Sequence, residues 1–287
     1  FVDIAGLVRG ASKGEGLGNQ FLANIRETDA VLHVLRCFED ENITHVEGST
    51  DPVRDKEIID TELMIADLES LEKRVEPMRK KAKGGDKEAI AFAHVMELAL
   101  VVLREGKPAR VVKLSTEDEI KYFKQLQLLT AKPVLYVCNV MESDAQNGNK
   151  HTAKVAEMAK AEGAGTVVIC AAIESEIAQL GSDEEKKEFL SAIGLDEPGL
   201  NRVIRAGYEL LELITFFTVG PKETRAWTIK KGSKAPQAAG AIHSDIARGF
   251  IRAEVVGYDE LVAAEGSMAT VREKGQFRLE GKDYVAQ

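Results

Sequence analysis

The sequence is short of cysteine and of long apolar runs. Its 287 residues include only three cysteines, Cys37, Cys138 and Cys170. Each lies in or beside an apolar stretch at wide spacing, which predicts buried thiols and argues against a disulfide or a metal site. No apolar run approaches the length of a membrane span. We therefore expect no membrane partner, no signal peptide and a cytoplasmic location.

Positive charge is also in deficit. The chain has 38 Lys and Arg against 47 Asp and Glu, a net charge of −9. This balance excludes a wholly basic nucleic-acid-binding protein, and we expect no DNA partner. The deficit is uneven, because residues 212–287 contain 11 basic and 10 acidic residues, a net of +1, and residues 1–211 therefore carry −10.

A third absence is the phosphate-binding motif Gly-x-x-x-x-Gly-Lys-Ser/Thr, which occurs nowhere in the sequence. A complementary motif is present at the start. Apolar residues around Asp3 predict a buried strand over residues 1–5, which leads through Gly6 into a loop with four further glycines. In P-loop hydrolases an Asp placed in this way holds Mg²⁺ through water, and the Gly N–H contacts the γ-phosphate. Asp3 is thus a candidate metal residue and Gly6 a candidate catalytic residue.

Alternating apolar strands and helices indicate an α/β fold with a doubly wound parallel sheet. The strands are predicted at 30–36, 133–139 and 166–171. Between the first two, apolar residues at heptad spacing predict two long helices joined by a Gly-Gly turn, which form an antiparallel coiled-coil hairpin. After residue 213, a β-hairpin, a helix at 236–246 and a strand at 250–256 give a β-grasp pattern.

Two loops after predicted strands are candidate nucleotide-binding segments. The first reads Asn139-Val140-Met141-Glu142, where guanine-nucleotide hydrolases have Asn-Lys-x-Asp. With Val140 in place of the Lys and Glu142 in place of the Asp, selectivity for guanine is weakened and the site opens to adenine. The second loop is Cys170-Ala171-Ala172, whose backbone N–H groups would face a purine. Ligands of such sheets bind beyond the carboxyl ends of the strands. Helix capping by Asn139 is the structural alternative.

Five runs give a specific resemblance, and together they extend over most of the chain. The sequence resembles the YchF/Obg-like ATPase family at residues 1–22, 139–142, 197–201, 225–229 and 234–240. The resemblance implies a P-loop nucleotidase domain at 1–56 and 113–211, an inserted hairpin at 57–112 and a TGS domain at 212–287. It also implies a P-loop before Phe1 and a final strand after Gln287, so we expect a longer parent protein.

For function, the resemblance implies a monomeric ATPase that uses Mg²⁺. We expect a switch protein, in which the bound nucleotide sets the conformation of residues 6–18 and thereby the contact with a partner. GTP would be the weaker substrate, and the ribosome or another RNA partner would be contacted through the TGS domain and the hairpin. A basic patch in the TGS part would face RNA, and the basic residues that define it are Lys222, Arg225, Lys230, Lys231, Lys234, Arg248 and Arg252.

Leu7 restricts the mechanism, because it stands where many GTPases have a Gln that orients the attacking water. An apolar side chain cannot do this. Of the two histidines nearby in sequence, His33 lies inside an apolar strand and is predicted to be packed there. His45 lies in a polar loop and is the candidate for positioning the water.

Other functions remain open from the residues alone. A GTPase is one, and an RNA-binding or ribosome-binding adaptor in which nucleotide turnover is incidental is another. Gly14, Gly16 and Gly18 also resemble a dinucleotide-binding loop. They come too far after the predicted strand for that loop's tight turn, so a dinucleotide site is less favoured.

Overall fold

The computed structural model describes residues 1–4, 17–43, 45, 48–220 and 222–287. The chain divides into two compact units, Phe1–Leu210 and Leu211–Gln287. The elements of the first unit, in chain order, are α1 (Leu17–Glu27), β1 (Val31–Arg36), α2 (Pro52–Lys83), α3 (Lys87–Arg104), α4 (Glu117–Leu126), β2 (Val134–Asn139), α5 (Lys150–Glu162), β3 (Gly165–Ile169), α6 (Ala171–Gln179), α7 (Asp183–Ala192) and α8 (Gly199–Leu210).

The sheet of the first unit is parallel, with the strand order β1-β2-β3. Val31 is opposite Val134, and Leu135 is opposite Gly165. The central strand β2 is the most buried, as expected for a strand covered by helices on both faces. The α/β class and the parallel sheet predicted from the sequence are therefore confirmed.

The strand predicted at residues 1–5 is not found where the structure describes that segment. Residues 1–4 form no strand, and the side chains of Phe1 and Val2 are 83% and 72% exposed. An apolar segment becomes a strand only when its backbone groups pair with a neighbouring strand. Residues 1–4 have the apolar composition of a strand, but they pair with none of the described strands. The prediction of a strand is therefore wrong for these residues.

Helices α2 and α3 form an antiparallel pair. Their buried contacts use the predicted heptad positions, including Leu71, Val75, Met96 and Leu100. The two helices are joined by Gly84-Gly85, and Gly85 adopts φ 86°, a value that favours glycine. The next helix starts at an Asp86 cap, whose carboxylate accepts hydrogen bonds from two backbone N–H groups.

A buried carboxylate joins α2 to the segment that leads into β2. Asp67 is only 1% exposed. Its carboxylate accepts hydrogen bonds from the N–H of Leu129 (2.8 Å), the N–H of Thr130 (2.8 Å) and the hydroxyl of Thr130 (2.7 Å). Burial raises the pKa of Asp67, and the hydrogen bonds only partly oppose this effect. This contact fixes the middle of the long helix against the α/β core.

A second polar cluster lies at the base of α2. The ammonium of Lys56 is buried and pairs with Asp60 (3.0 Å) and with Glu162 of α5. Glu162 also accepts a hydrogen bond from the hydroxyl of Tyr136 (2.8 Å) and lies 3.4 Å from Arg110. Burial raises the pKa of Glu162, but Lys56, Tyr136 and Arg110 lower it more, so the net pKa is below the usual value.

We expect the substitution Glu162→Gln to destabilise the first unit by about 2–3 kcal/mol at pH 7, because it leaves a buried ammonium with one carboxylate fewer. A depressed carboxylate pKa stabilises the fold above the unfolded-state pKa, and this stabilisation is lost as pH falls through the folded-state value. The variant should therefore lose less stability than the wild type between about pH 5 and pH 3. Urea unfolding across this range measures both effects, and parallel curves for the two proteins would contradict the assignment.

The second unit contains β4 (Leu213–Val219), β5 (Thr224–Lys230), α9 (Ala235–Ile242), α10 (Ser244–Arg248), β6 (Ala253–Val255), α11 (Tyr258–Ala263), α12 (Met268–Glu273) and β7 (Arg278–Glu280). The predicted β-hairpin is present as the antiparallel pair β4–β5. The helix predicted at 236–246 is divided at His243, whose backbone is extended with φ −164°. The strand predicted at 250–256 is reduced to β6, which pairs with the unpredicted β7.

None of the helices in the described parts of the chain combines the length and the apolar character that a membrane crossing needs.

Candidate nucleotide-binding site

The two predicted nucleotide loops meet at the carboxyl ends of β2 and β3. Asn139 is the last residue of β2, and α6 begins at Ala171, two residues after β3. The side-chain oxygen of Asn139 accepts a hydrogen bond of 2.9 Å from the N–H of Ala171. Cys170, the residue before this helix, provides no side-chain cap. Asn139 therefore caps a helix from the neighbouring strand, and this bond sets the distance between the loops.

Val140 and Cys170 support these loops from the protein interior. Their side chains are 3% and 4% exposed and belong to the same apolar cluster. The N–H of Val140 donates a hydrogen bond of 2.9 Å to the carbonyl oxygen of Ile169. These residues hold the loops in place, and the exposed groups that a ligand could meet are Ala171 and Ala172. The first N–H groups of a helix have no acceptor within the helix, so Ala172 offers a backbone donor at this edge.

Glu142 lies on the exposed side of the first loop, at the start of a short 3₁₀ turn, Glu142–Asp144. Its carboxylate forms no hydrogen bond or ion pair with the other described residues. The structure thus brings Asn139 and Ala171 into contact, and it does not attach Glu142 to them. An exposed carboxylate in this loop can accept hydrogen bonds from the edge of a base or remain solvated.

Glu174 is a site-forming residue that the sequence patterns did not indicate. Its two carboxylate oxygens accept hydrogen bonds from the N–H groups of Gly199 (2.6 Å) and Leu200 (3.1 Å), which caps α8 from α6. A Cβ at position 199 would lie 2.8 Å from Glu174 and 2.9 Å from Ile169, so glycine is required there. The run Glu197–Asn201 therefore has a packing role beside the loops.

A cavity of about 610 Å³ borders the second loop. Its lining is mostly aliphatic and includes Leu32, Val34, Val137 and Ile169 from the sheet. These four sheet residues offer no ligands for phosphate, and the polar lining residues come from outside the sheet. A polar ligand would therefore meet the rim of the cavity near Ala171 rather than its floor.

His45 is held by a carboxylate. Its Nε2 lies 2.8 Å from an oxygen of Asp55, in the first turn of α2, and the imidazole is 15% exposed. Asp55 is also paired with Arg54 at 3.1 Å. A carboxylate bonded to a histidine ring fixes the orientation of the ring. The sequence indicated this histidine but not its partner. His33, by contrast, is packed beside Tyr136, and burial lowers the pKa of His33.

Of the residues predicted to contact the metal and the γ-phosphate, the structure describes only Asp3. Asp3 is exposed on the segment without strand structure. Its carboxylate oxygens are suitable ligands for Mg²⁺, but the strand end on which the prediction rested is not observed. Gly6 and Leu7 lie outside the residues that the structure describes.

Comparison with known proteins shows which family this chain resembles over its whole length. Residues 213–287 match the family model YchF-GTPase_C, described as a protein of unknown function (DUF933). The chain is 55% identical over 287 residues to the ribosome-binding ATPase YchF of Haemophilus influenzae and 53% identical over 289 residues to that of Bacillus subtilis. It covers 78% of each, and 100% of this chain is matched. The solved structure of the Schizosaccharomyces pombe YchF GTPase superposes with a TM-score of 0.80 at 36% identity, covering 99% of this chain and 76% of that one.

Proposed function

The chain belongs to the YchF family, and we propose that it is an ATP-binding and ATP-hydrolysing switch protein that acts with the ribosome and whose nucleotide state governs this association. The observation that carries this proposal is the hydrogen bond between Asn139 and Ala171. It holds two exposed loops together at the carboxyl ends of adjacent parallel strands, where ligands of open α/β sheets bind. The relatives that match this chain over its whole length are named as ribosome-binding ATPases.

In this proposal the loops hold the adenine base. The N–H of Ala172, at the start of α6, would face the purine, and Glu142 would approach its edge. Asp3 would hold the metal, Gly6 would contact the γ-phosphate, and His45 would position the attacking water. Mg²⁺ would neutralise phosphate charge when bound. A P-loop from outside residues 1–287 would supply the remaining phosphate contacts, because the sequence contains no such motif.

We propose that the chain has three domains. We assign residues 1–56 and 113–211 to the nucleotide-binding domain, 57–112 to a coiled-coil hairpin and 212–287 to a TGS domain. The described division at Leu210 and Leu211, and the packing of α2 on α3, support these boundaries. The ribosome would contact the TGS domain and the hairpin.

The choice of nucleotide tests the proposed base site. We expect ATP to bind the full-length protein at least about tenfold more tightly than GTP, because Val140 and Glu142 replace the residues with which guanine loops recognise the base. Competition of each nucleotide against a fluorescent ATP analogue measures this ratio. Tighter binding of GTP would instead favour a GTPase, the activity by which the S. pombe relative is described.

A further inference from the structure

The turn between α2 and α3 carries a concentration of positive charge. We call residues 79–88 the hairpin tip. They contain five basic and two acidic side chains, a net of +3, in a chain of net charge −9. All other residues together therefore carry −12. The tip is therefore a locally positive part of an acidic protein, and it would attract a polyanion rather than repel it.

Four of these cations are not neutralised. Lys80, Lys81, Lys83 and Lys87 are exposed, and within the part of the chain that the structure describes no carboxylate forms an ion pair with them. Arg79, by contrast, pairs with Glu76 (2.5 Å) and Glu97 (2.9 Å). The carboxylate of Asp86 accepts hydrogen bonds from the first turn of α3, which leaves it a poor counter-ion for its neighbours.

Fold stability accounts for only part of this arrangement. Lys80, Lys81 and Lys83 lie in the last turn of α2, where cations interact favourably with the helix dipole. Lys87 opens α3, where a cation is unfavourable, and each lysine repels the others. A tip selected for stability would carry an acidic residue at position 87.

The tip also extends beyond the packing that anchors the hairpin. Helix α4 packs on the middle of α3, where Tyr122 lies 5.5 Å from Phe92 between ring centroids and Glu119 lies 3.7 Å from His94. Asp67, the tie to the core, precedes the turn at Gly84 by about 25 Å of helix. Lys87 therefore lies about 8 Å of helix beyond the α4 contact at Phe92.

In the basic patch predicted for the second unit, four of the seven side chains are engaged in other contacts, two of them with carboxylates. Lys234 pairs with Asp283 at 2.7 Å, and Arg248 pairs with Asp245. Lys230 donates a hydrogen bond to a backbone carbonyl oxygen, and the guanidinium of Arg225 lies over the ring of Trp227 at 4.3 Å. Of the two basic regions, the hairpin tip has the denser group of unpaired cations.

We infer that the hairpin tip binds the phosphodiester backbone of RNA, through Lys80, Lys81, Lys83 and Lys87. This inference rests on the proposed ribosome-associated function and names the contact surface. Lysine is a flexible point charge that contacts phosphate without reading sequence. Protein partners are usually anchored by exposed apolar side chains. Residues 79–88 carry no exposed large apolar side chain, and the nearest is Ile90.

The test uses the full-length protein with two probes, purified 70S ribosomes and deproteinised ribosomal RNA. The tip variant changes the four lysines to Gln. A matched variant changes four exposed lysines elsewhere, Lys113, Lys124, Lys154 and Lys160, to Gln. At about 100 mM salt the tip variant should bind both probes at least about tenfold more weakly, whereas the matched variant should stay near wild type. The slope of log affinity against log salt should fall by roughly 3–4 in the tip variant alone.

Several outcomes would overturn the inference. Equal weakening in both variants would mean a general charge effect, and unchanged binding of the tip variant would remove the tip as a contact. If the tip variant binds ribosomes more weakly but free RNA as well as the wild type does, the tip contacts an acidic ribosomal protein instead of RNA. If the wild type binds neither probe, the proposed function fails as well. A melting temperature within a few degrees of wild type is expected, because the tip lysines support no packing.

Discussion

Replacing His45 by alanine is expected to lower ATP hydrolysis by the full-length protein about 10²- to 10⁴-fold, with ATP binding changed less than about threefold. The imidazole is held by Asp55 at 2.8 Å, so its orientation is fixed before substrate arrives. Leu7 cannot orient water, which leaves this role to a polar group from another segment. Loss of such a group lowers the rate of the chemical step and leaves the ground-state affinity nearly unchanged.

Single-turnover ATP cleavage at saturating enzyme measures the chemical step directly. His94 provides the matched control, because it is a histidine on α3 whose side chain is 58% exposed. The variant His94→Ala should cleave ATP at the wild-type rate. Asp55→Asn should be intermediate, since it retains the ring but weakens its orientation. Wild-type cleavage by His45→Ala would remove this residue from the mechanism.

Replacing Asp67 by alanine is expected to destabilise the first unit by about 3–5 kcal/mol. The change removes the acceptor of three hydrogen bonds in a site with 1% exposure, and it leaves two backbone N–H groups and one hydroxyl without that partner. Each unsatisfied buried group costs about 1–3 kcal/mol. The effect should therefore exceed that of the Glu162→Gln variant.

Urea unfolding followed by far-ultraviolet circular dichroism gives the stability change from the transition of the first unit. Glu69 is the matched control, because it is an exposed acidic residue two positions along the same helix. The variant Glu69→Ala should change stability by less than about 0.5 kcal/mol. A loss below about 1 kcal/mol for Asp67→Ala would show that water or a rearranged turn replaces the carboxylate.

The sequence predicts those helices and strands whose buried residues follow a regular spacing of apolar side chains. The heptad spacing of Leu71, Val75, Met96 and Leu100 identified the packed faces of α2 and α3, because apolar residues at a 3.5-residue repeat are typical of helices that pack along one seam. Continuous apolar runs identified β1, β2 and β3, and such runs are typical of the strands of a parallel sheet. Of the three, only β2 is buried along both faces, because Val34 of β1 is 62% exposed and β3 begins with two exposed residues. In these elements local propensity and tertiary packing agree.

Elements that depend on a distant partner were not predictable in this way. Residues 1–4 have the composition of a strand but lack a pairing strand among the described residues. Helices α6 and α7 were missed, although Ser182 and Glu185 form a capping box that marks the start of α7. Strand β7 has only three residues and gives no periodic signal.

In the candidate site, too, some features were predictable from the sequence and others were not. Motif order indicated that Asn139 and Ala171 belong together, because parallel strands bring their carboxyl ends to one edge. The bond between them, the Asp55 partner of His45 and the role of Glu174 depend on side-chain positions that spacing does not encode. Asp67 was also overlooked, since a single Asp within a charged helix has no sequence signature of burial.

The central claim is that this YchF family member is an ATPase whose nucleotide state governs its association with the ribosome. Its most direct test is the affinity of the full-length protein for 70S ribosomes with ATP, with ADP and with a non-hydrolysable ATP analogue. A switch requires different affinities for the two states of the protein. We predict that the analogue and ADP give affinities at least about tenfold apart, with ATP between them as it is consumed. Equal affinities in all three conditions would contradict the account.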